Sequence, residues 1–191
     1  MKVIQLHNSN TKLIDKAAKN NREAQHILYE VHAPKMLSVC RYYVKDVQKA
    51  EEVLLNGFFK AFTNLKRFKN EGSFEGWLRK IMVREAISFL RQQKQIEFSV
   101  DDVQTHHTYT NNIDTEIELN EIQQLIDQLP EGYKMVFVMY AVEGYKHIEI
   151  AELLNITEGT SKSQLFKARQ LLQEKIMKLN KPKIDTNEVR R

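Results

Sequence analysis

Apolar side chains along this chain recur every three or four residues and do not alternate, which is the period of helices that bury one face. From Arg22 to about Tyr43 the inward set reads Ile27, Val31, Leu37 and Val39, with Pro34 placed to open a new turn or kink the helix. A second stripe, Ala50, Val53, Leu54, Phe58, Ala61 and Phe62, predicts a helix from about Val47 to Leu65. Asp46 suits its N-cap, and Gly57 sits in its middle at a cost of ~1 kcal/mol relative to alanine. Asn70-Glu71-Gly72-Ser73 is a break, and Ser73 can cap a third helix from about Phe74 to Gln93. Its candidate core is Trp77, Leu78, Ile81, Ala86, Phe89 and Leu90. The opening residues, 1–19, are polar and carry little periodic signal.

The composition then changes. From Gln95 to Glu131 there is no Lys or Arg but nine Asp or Glu, and Thr105 to Asn112 is polar throughout. Residues 96–114 are expected to form a flexible acidic linker. Helical period resumes near Thr115 with Ile117, Leu119, Ile122, Leu125, Ile126 and Leu129, and Pro130 opens another helix. The expected fold is therefore all-α, with two small helical domains at 20–95 and 115–179 and a polar tail at 180–191.

Within the second domain, Tyr145 to Leu165 reads as two short helices joined by a tight turn. That is the form of a helix-turn-helix, whose second helix enters a DNA major groove. Ala151 is small where the helices would cross, Thr157 can cap the second helix, and Gly159 falls in its first turn. At about 100° per residue, Ser161, Leu165, Ala168, Leu172 and Ile176 share the inward face. The opposite face presents Thr160, Ser163, Phe166, Lys167 and Gln170, flanked by Lys162 and Gln164. Lysine suits phosphate or guanine, glutamine suits adenine, and an exposed Phe166 can touch a thymine methyl.

The first domain has a different chemistry. Lys66 to Lys94 holds eight bases against three acids, interleaved with Phe68, Phe74, Trp77 and Phe89. Cations with aromatics are the composition that grips an exposed strand, although Trp77 and Phe89 are better suited to a core. The chain-wide net charge of +4 adds little to this local picture.

Other classes find no support. The single cysteine, Cys40, lies in an apolar stretch, so no intramolecular disulfide forms and a buried, reduced thiol in a cytoplasmic protein is expected. The first eight residues are too polar for a signal peptide, and the longest apolar run, Met135 to Val142, is short of the ~20 residues that span a bilayer. No glycine-rich phosphate loop occurs, and His106-His107 stands in the linker without Cys or a paired His at ligand spacing. No enzyme activity, metal or cofactor is implied.

Three motif sets resemble those of bacterial sigma-70 family factors. Leu65-Lys66-Arg67-Phe68 and Gly72-Ser73-Phe74-Glu75-Gly76-Trp77-Leu78-Arg79-Lys80-Ile81 look like their melting segment. Ala50-Glu51-Glu52-Val53 with Phe58-Phe59-Lys60-Ala61-Phe62 looks like their polymerase-binding helix. Leu129-Pro130-Glu131-Gly132-Tyr133, Glu149-Ile150-Ala151-Glu152 and Gly159-Thr160 through Lys167-Ala168-Arg169 look like their second conserved domain. The absence of a third domain between the two points to the extracytoplasmic-function (ECF) subgroup.

The resemblance implies a region 2 helical bundle and a region 4 helix-turn-helix that together bind core RNA polymerase and direct it to promoter DNA. It implies Glu52, Asn56 and Phe59 for the polymerase, and Trp77, Lys80, Arg84 and Ser88 for unstacked bases of the −10 element. It implies Thr160, Lys162, Ser163, Gln164, Phe166 and Lys167 for the −35 duplex, and an anti-sigma factor as a further partner. The acidic linker would be repelled by DNA and could lie in a positively charged polymerase channel. The chain departs from the family at Leu55, Asn56, Arg84, Ser161 and Gln164, which bears on promoter choice rather than role. Two rivals stand beside this reading. A stand-alone helix-turn-helix regulator leaves the Trp77 segment unexplained, and a sigma-like decoy that sequesters a regulator would have no duplex affinity.

Overall fold

A computed structural model describes residues 3–69, 71–93 and 119–179. The expected linker, the helical start at Thr115 and Ile117, and the polar tail lie outside the described residues. Every regular element among the described residues is helical, and the chain falls into two compact units that divide between Ile96 and Glu97.

Unit 1 contains α1 (Val3–Ala18), α2 (Arg22–Tyr43), α3 (Val47–Thr63), a 3-10 turn (Leu65–Arg67) and α4 (Phe74–Gln92). The caps form as the sequence predicts. Asp46 accepts from the Lys49 amide, and Ser73 accepts from the Gly76 amide, each satisfying a donor that the first helical turn leaves unpaired. Asn21 does the same for α2.

α2, α3 and α4 pack on one another, and α1 packs on α2. The core stripe of α3 is as expected, except that Phe62 is half-buried. Gly57 has a structural reason. It is buried where α3 meets α4, and an added Cβ would fall on the Met82 thioether.

Three expectations are corrected here. The opening segment, read as polar and weak in periodic signal, carries α1, which buries Ile14 and Ala17. α2 is rotated from its expected phase. Ile27 and Val31 are exposed, while Ala24, Leu28, His32, Met36, Cys40 and Tyr43 join Val39 in the core. That set repeats in steps of three and four, so a histidine and a small alanine hold core positions while two β-branched residues face out. In α4 the buried stripe is Phe74, Leu78, Met82, Val83, Ala86, Ile87 and Leu90; Trp77, Ile81 and Phe89 are half-buried. Pro34 lies within the continuous α2, and its carbonyl accepts from the Ser38 hydroxyl. Cys40 is fully buried, and burial pushes its thiol up to about 12.

Unit 2 contains α5 (Leu119–Asp127), α6 (Glu131–Phe137), a π-helical turn (Val138–Val142), α7 (His147–Leu154) and α8 (Glu158–Leu179). Pro130 caps α6, one position before the expected first helical residue. Leu125, Leu129, Ala168 and Leu172 form a core cluster covered by Tyr133, Phe137, Leu171 and Ile176. Ile122, expected inward, is exposed. Lys134 is fully buried, its ammonium paired 3.0 Å from the Glu131 carboxylate one turn earlier.

Candidate nucleic-acid interface

The geometry of a helix-turn-helix is present in α7 and α8. Asn155 ends α7 in the left-handed conformation (φ 56°, ψ 51°), and Asn is among the non-glycine residues that tolerate it. Thr157 then caps α8 by accepting from the Thr160 amide at 3.0 Å, and the two threonine hydroxyls lie 2.8 Å apart. Ser161, Leu165, Ala168 and Leu172 face inward as expected, and Ile176 is half-buried.

On the outward side, Lys162 is exposed and paired with Glu158 at 2.7 Å. The lysine's hydrogen bond and charge hold the Glu158 carboxyl below its ordinary value. Thr160, Ser163, Phe166 and Lys167 are half-buried, and the Ser163 hydroxyl donates to the Thr160 carbonyl. Gln164 departs from expectation. It is only 1% exposed and does not flank an open face. It lies three residues after Ser161 and four before Ala168, both buried, so helical geometry turns it toward their side.

A polar and aromatic cluster braces this second helix. His147 opens α7, and its Nδ1 lies 2.9 Å from the fully buried Ser161 hydroxyl of α8. Tyr140, in the π-helical turn, stacks on the His147 ring with centroids 4.6 Å apart. The Arg169 guanidinium sits over the other aromatic partner, 5.7 Å from the Tyr140 centroid. Burial and the charges of Lys162 and Arg169 lower the His147 pKa, against an opposing effect of Glu158. The Ser161 hydroxyl, buried in the first turn of α8, thus has its hydrogen-bond partner on α7.

In unit 1 the outward face of α4 carries Trp77, Lys80, Arg84 and Ser88, which recur in steps of three and four. Lys80, Arg84 and Ser88 are exposed. Trp77 is half-buried in an aromatic cluster with Phe68 and Phe74, at centroid distances of 5.4 and 5.8 Å. Two of the three nearby acids are occupied: Glu75 pairs with Lys35 and Glu85 with Lys60, each at 2.6 Å. Lys80 and Arg84 form no ion pair among the described residues, so the face keeps a positive balance.

A separate face belongs to α3. Glu52, Leu55, Asn56 and Phe59 follow the i, i+3, i+4, i+7 pattern and are all exposed, Leu55 at 57% and Phe59 at 72%. This ridge runs between two grooves. One, of about 450 Å³, lies against α2 and is lined by Tyr29, Leu37 and Leu54 together with Glu30 and Glu51. The other, of about 240 Å³, lies against α4 and brings Glu52, Asn56 and Phe59 together with Ser88. Ser88 therefore borders both the α3 ridge and the basic α4 face. Sequence reasoning treated Leu55 only as a departure from pattern; its step of four from Phe59 was the available signal. Arg169 was legible only as a cation of the second helix, and nothing in the sequence marked His147 or Tyr140 as its neighbours.

A basic helical bundle and a helix-turn-helix on one chain define a two-module protein suited to nucleic acid. The family described as Sigma-70 region 2 matches residues 28–96, and Sigma-70, region 4 matches residues 119–172. The RNA polymerase sigma factor SigV of Bacillus subtilis is 29% identical over 136 residues, covering 71% of this chain and 81% of that protein. The ECF RNA polymerase sigma-E factor of Haemophilus influenzae is 26% identical over 180 residues, covering 87% and 95%. The solved sigma factor RpoE of Bartonella quintana, in complex with the anti-sigma factor NepR, shares the fold with a TM-score of 0.53 at 18% identity, covering 82% of this chain and 98% of that one. This chain belongs to the sigma-70 family, in its ECF subgroup. It is a promoter-specific transcription initiation factor and not an enzyme. Among the described residues no helix is long and apolar enough to cross a membrane.

Proposed function

We propose that the chain divides promoter opening between its two units while docked on core RNA polymerase in the cytoplasm. The α3 ridge of Glu52, Leu55, Asn56 and Phe59 binds the polymerase. The basic α4 face of Trp77, Lys80, Arg84 and Ser88 captures unstacked −10 bases, where cations meet phosphates and an aromatic edge meets a base. The outward side of α8, with Thr160, Lys162, Ser163, Phe166 and Lys167, reads the −35 duplex. Gln164 is left out of that set because it is buried. The domain limits are 20–95 and 115–179, with α1 added to the first.

The observation that carries this reading is the separation of chemistry in unit 1. Its α3 ridge, led by the exposed Leu55 and Phe59, and its cationic α4 face adjoin at Ser88 but carry different chemistry, which suits a chain that must hold a protein and a strand at once. An anti-sigma factor is a fitting further partner. The solved Bartonella relative is bound to one, and the exposed α3 ridge is a surface such a protein could cover.

The test is reconstitution. The full chain, added to bacterial core polymerase, should select promoter sequences from a random pool and open them. Affinity should fall steeply as salt rises, because the phosphate contacts release counterions. Duplex binding without any polymerase association would favour the stand-alone regulator, and polymerase association without duplex binding would favour the decoy.

A further inference from the structure

We propose that His147 is a positioning residue for promoter reading, one that fixes α8 against α7 through the buried Ser161 hydroxyl. The inference rests on the proposal that α8 reads the −35 duplex.

Ser161 is fully buried in the first turn of α8, and the His147 ring nitrogen 2.9 Å away is the hydrogen-bond partner of its hydroxyl. A buried hydroxyl without a partner is costly, so this bond constrains where α8 sits against the start of α7. The ring is in turn held from its face by Tyr140, whose position comes from the π-helical turn that ends α6. Such turns widen a helix by one residue and re-aim the side chains within it. Tyr140 also carries Arg169, three residues past Phe166 and two past Lys167 on the same helix. The brace therefore contacts α8 at two heights, at Ser161 and at Arg169. The buried Ser161 contact fixes the start of α8, and the exposed Tyr140–Arg169 contact adds a weaker restraint eight residues further on. The residues on either side of Ser161 are Thr160 and Lys162, both in the proposed duplex-reading set, so a shift at Ser161 moves them directly.

The closing experiment uses the full chain bound to core polymerase and a labelled −35 duplex joined to an opened −10 region, at fixed salt. His147→Phe keeps a ring for Tyr140 to stack on but removes the polar partner of Ser161. It should weaken promoter binding about tenfold, while affinity for core polymerase stays at the wild-type value. The double variant His147→Phe with Ser161→Ala removes both polar groups, and it should recover binding to within about threefold of wild type. His147→Asn offers an amide donor or acceptor near the Nδ1 position and should bind better than His147→Phe.

Wild-type binding by His147→Phe overturns the inference. So does a double variant no better than His147→Phe, or a loss matched by an equal fall in the melting temperature of unit 2. Lys162→Ala and Lys167→Ala serve as the separate control. If they leave duplex binding unchanged, the α8 reading itself has failed; if they weaken it while His147→Phe does not, only the positioning role falls.

Discussion

Two adjacent phenylalanines in α3 allow docking to be separated from folding. Phe58 is 2% exposed and Phe59 is 72% exposed. Phe59→Ala removes little that the isolated chain has buried, so the stability of unit 1 should change by no more than about 0.5 kcal/mol. Full burial of a phenylalanine side chain is worth about 1.5–3 kcal/mol. If the polymerase covers the exposed 72%, truncation forfeits about 1–2 kcal/mol of binding, or roughly 5- to 30-fold in Kd. Phe58→Ala reverses the pattern, because Phe58 packs against Tyr29 with ring centroids 4.8 Å apart and fills the core. Its loss should cost about 3–5 kcal/mol of stability. Equilibrium denaturation in urea measures the first quantity, and competition against a fluorescent wild-type chain for core polymerase measures the second. A Phe59→Ala chain that competes within twofold of wild type would refute the assignment of the α3 ridge to polymerase. A Phe59→Ala chain that loses affinity only in proportion to lost folding would refute it equally.

Other outcomes follow from single sites. Gly57→Ala improves intrinsic helix propensity, yet it should destabilise unit 1 by about 1–3 kcal/mol because its methyl collides with Met82; in a double-mutant cycle with Met82→Ala the two losses should sum to less than their separate values. His32 is buried against Phe74, and desolvation lowers its pKa, with Lys35 adding and Glu75 opposing. The unfolded chain therefore takes up a proton near pH 6.5 that the folded unit refuses, so stability should be flat above about pH 7 and fall as pH drops through 6.5, a fall that His32→Leu removes in denaturant midpoints measured across that range. Lys80→Ala and Arg84→Ala should each weaken binding of a single-stranded −10 oligonucleotide and each reduce the slope of log affinity against log salt by up to ~1, and an unchanged slope would remove that residue from the strand-binding face.

The parts of this fold that the sequence showed are those set by one residue at a fixed offset. Asp46, Ser73 and Thr157 were legible as caps because a short oxygen-bearing side chain ahead of a helical run has few other uses. The core stripe of α3 was legible because its period is clean. α2 was not, since its apolar residues occupy more than one face and choosing among phases requires knowing which neighbours cover it. His32 took a core position that composition assigned to Val31. Gln164 was misplaced for a related reason. A polar residue on the border of a buried arc is read as exposed unless the width of that arc is known, and the width depends on the helices packed against it. The π-helical turn left no mark in the sequence, so Tyr140 and His147 could not be brought together in advance.

The inert thiol at Cys40 has a practical consequence. It is the chain's one cysteine, and it is protonated and enclosed while unit 1 is folded. A cysteine introduced at an exposed site in either unit would thus be the only group a maleimide dye reaches under native conditions. With one such cysteine in each unit, the distance between the labels could be followed during initiation without first stripping out a native thiol. The same seclusion makes Cys40 itself a clock, because the rate at which alkylating reagents reach it reports how often the bundle opens.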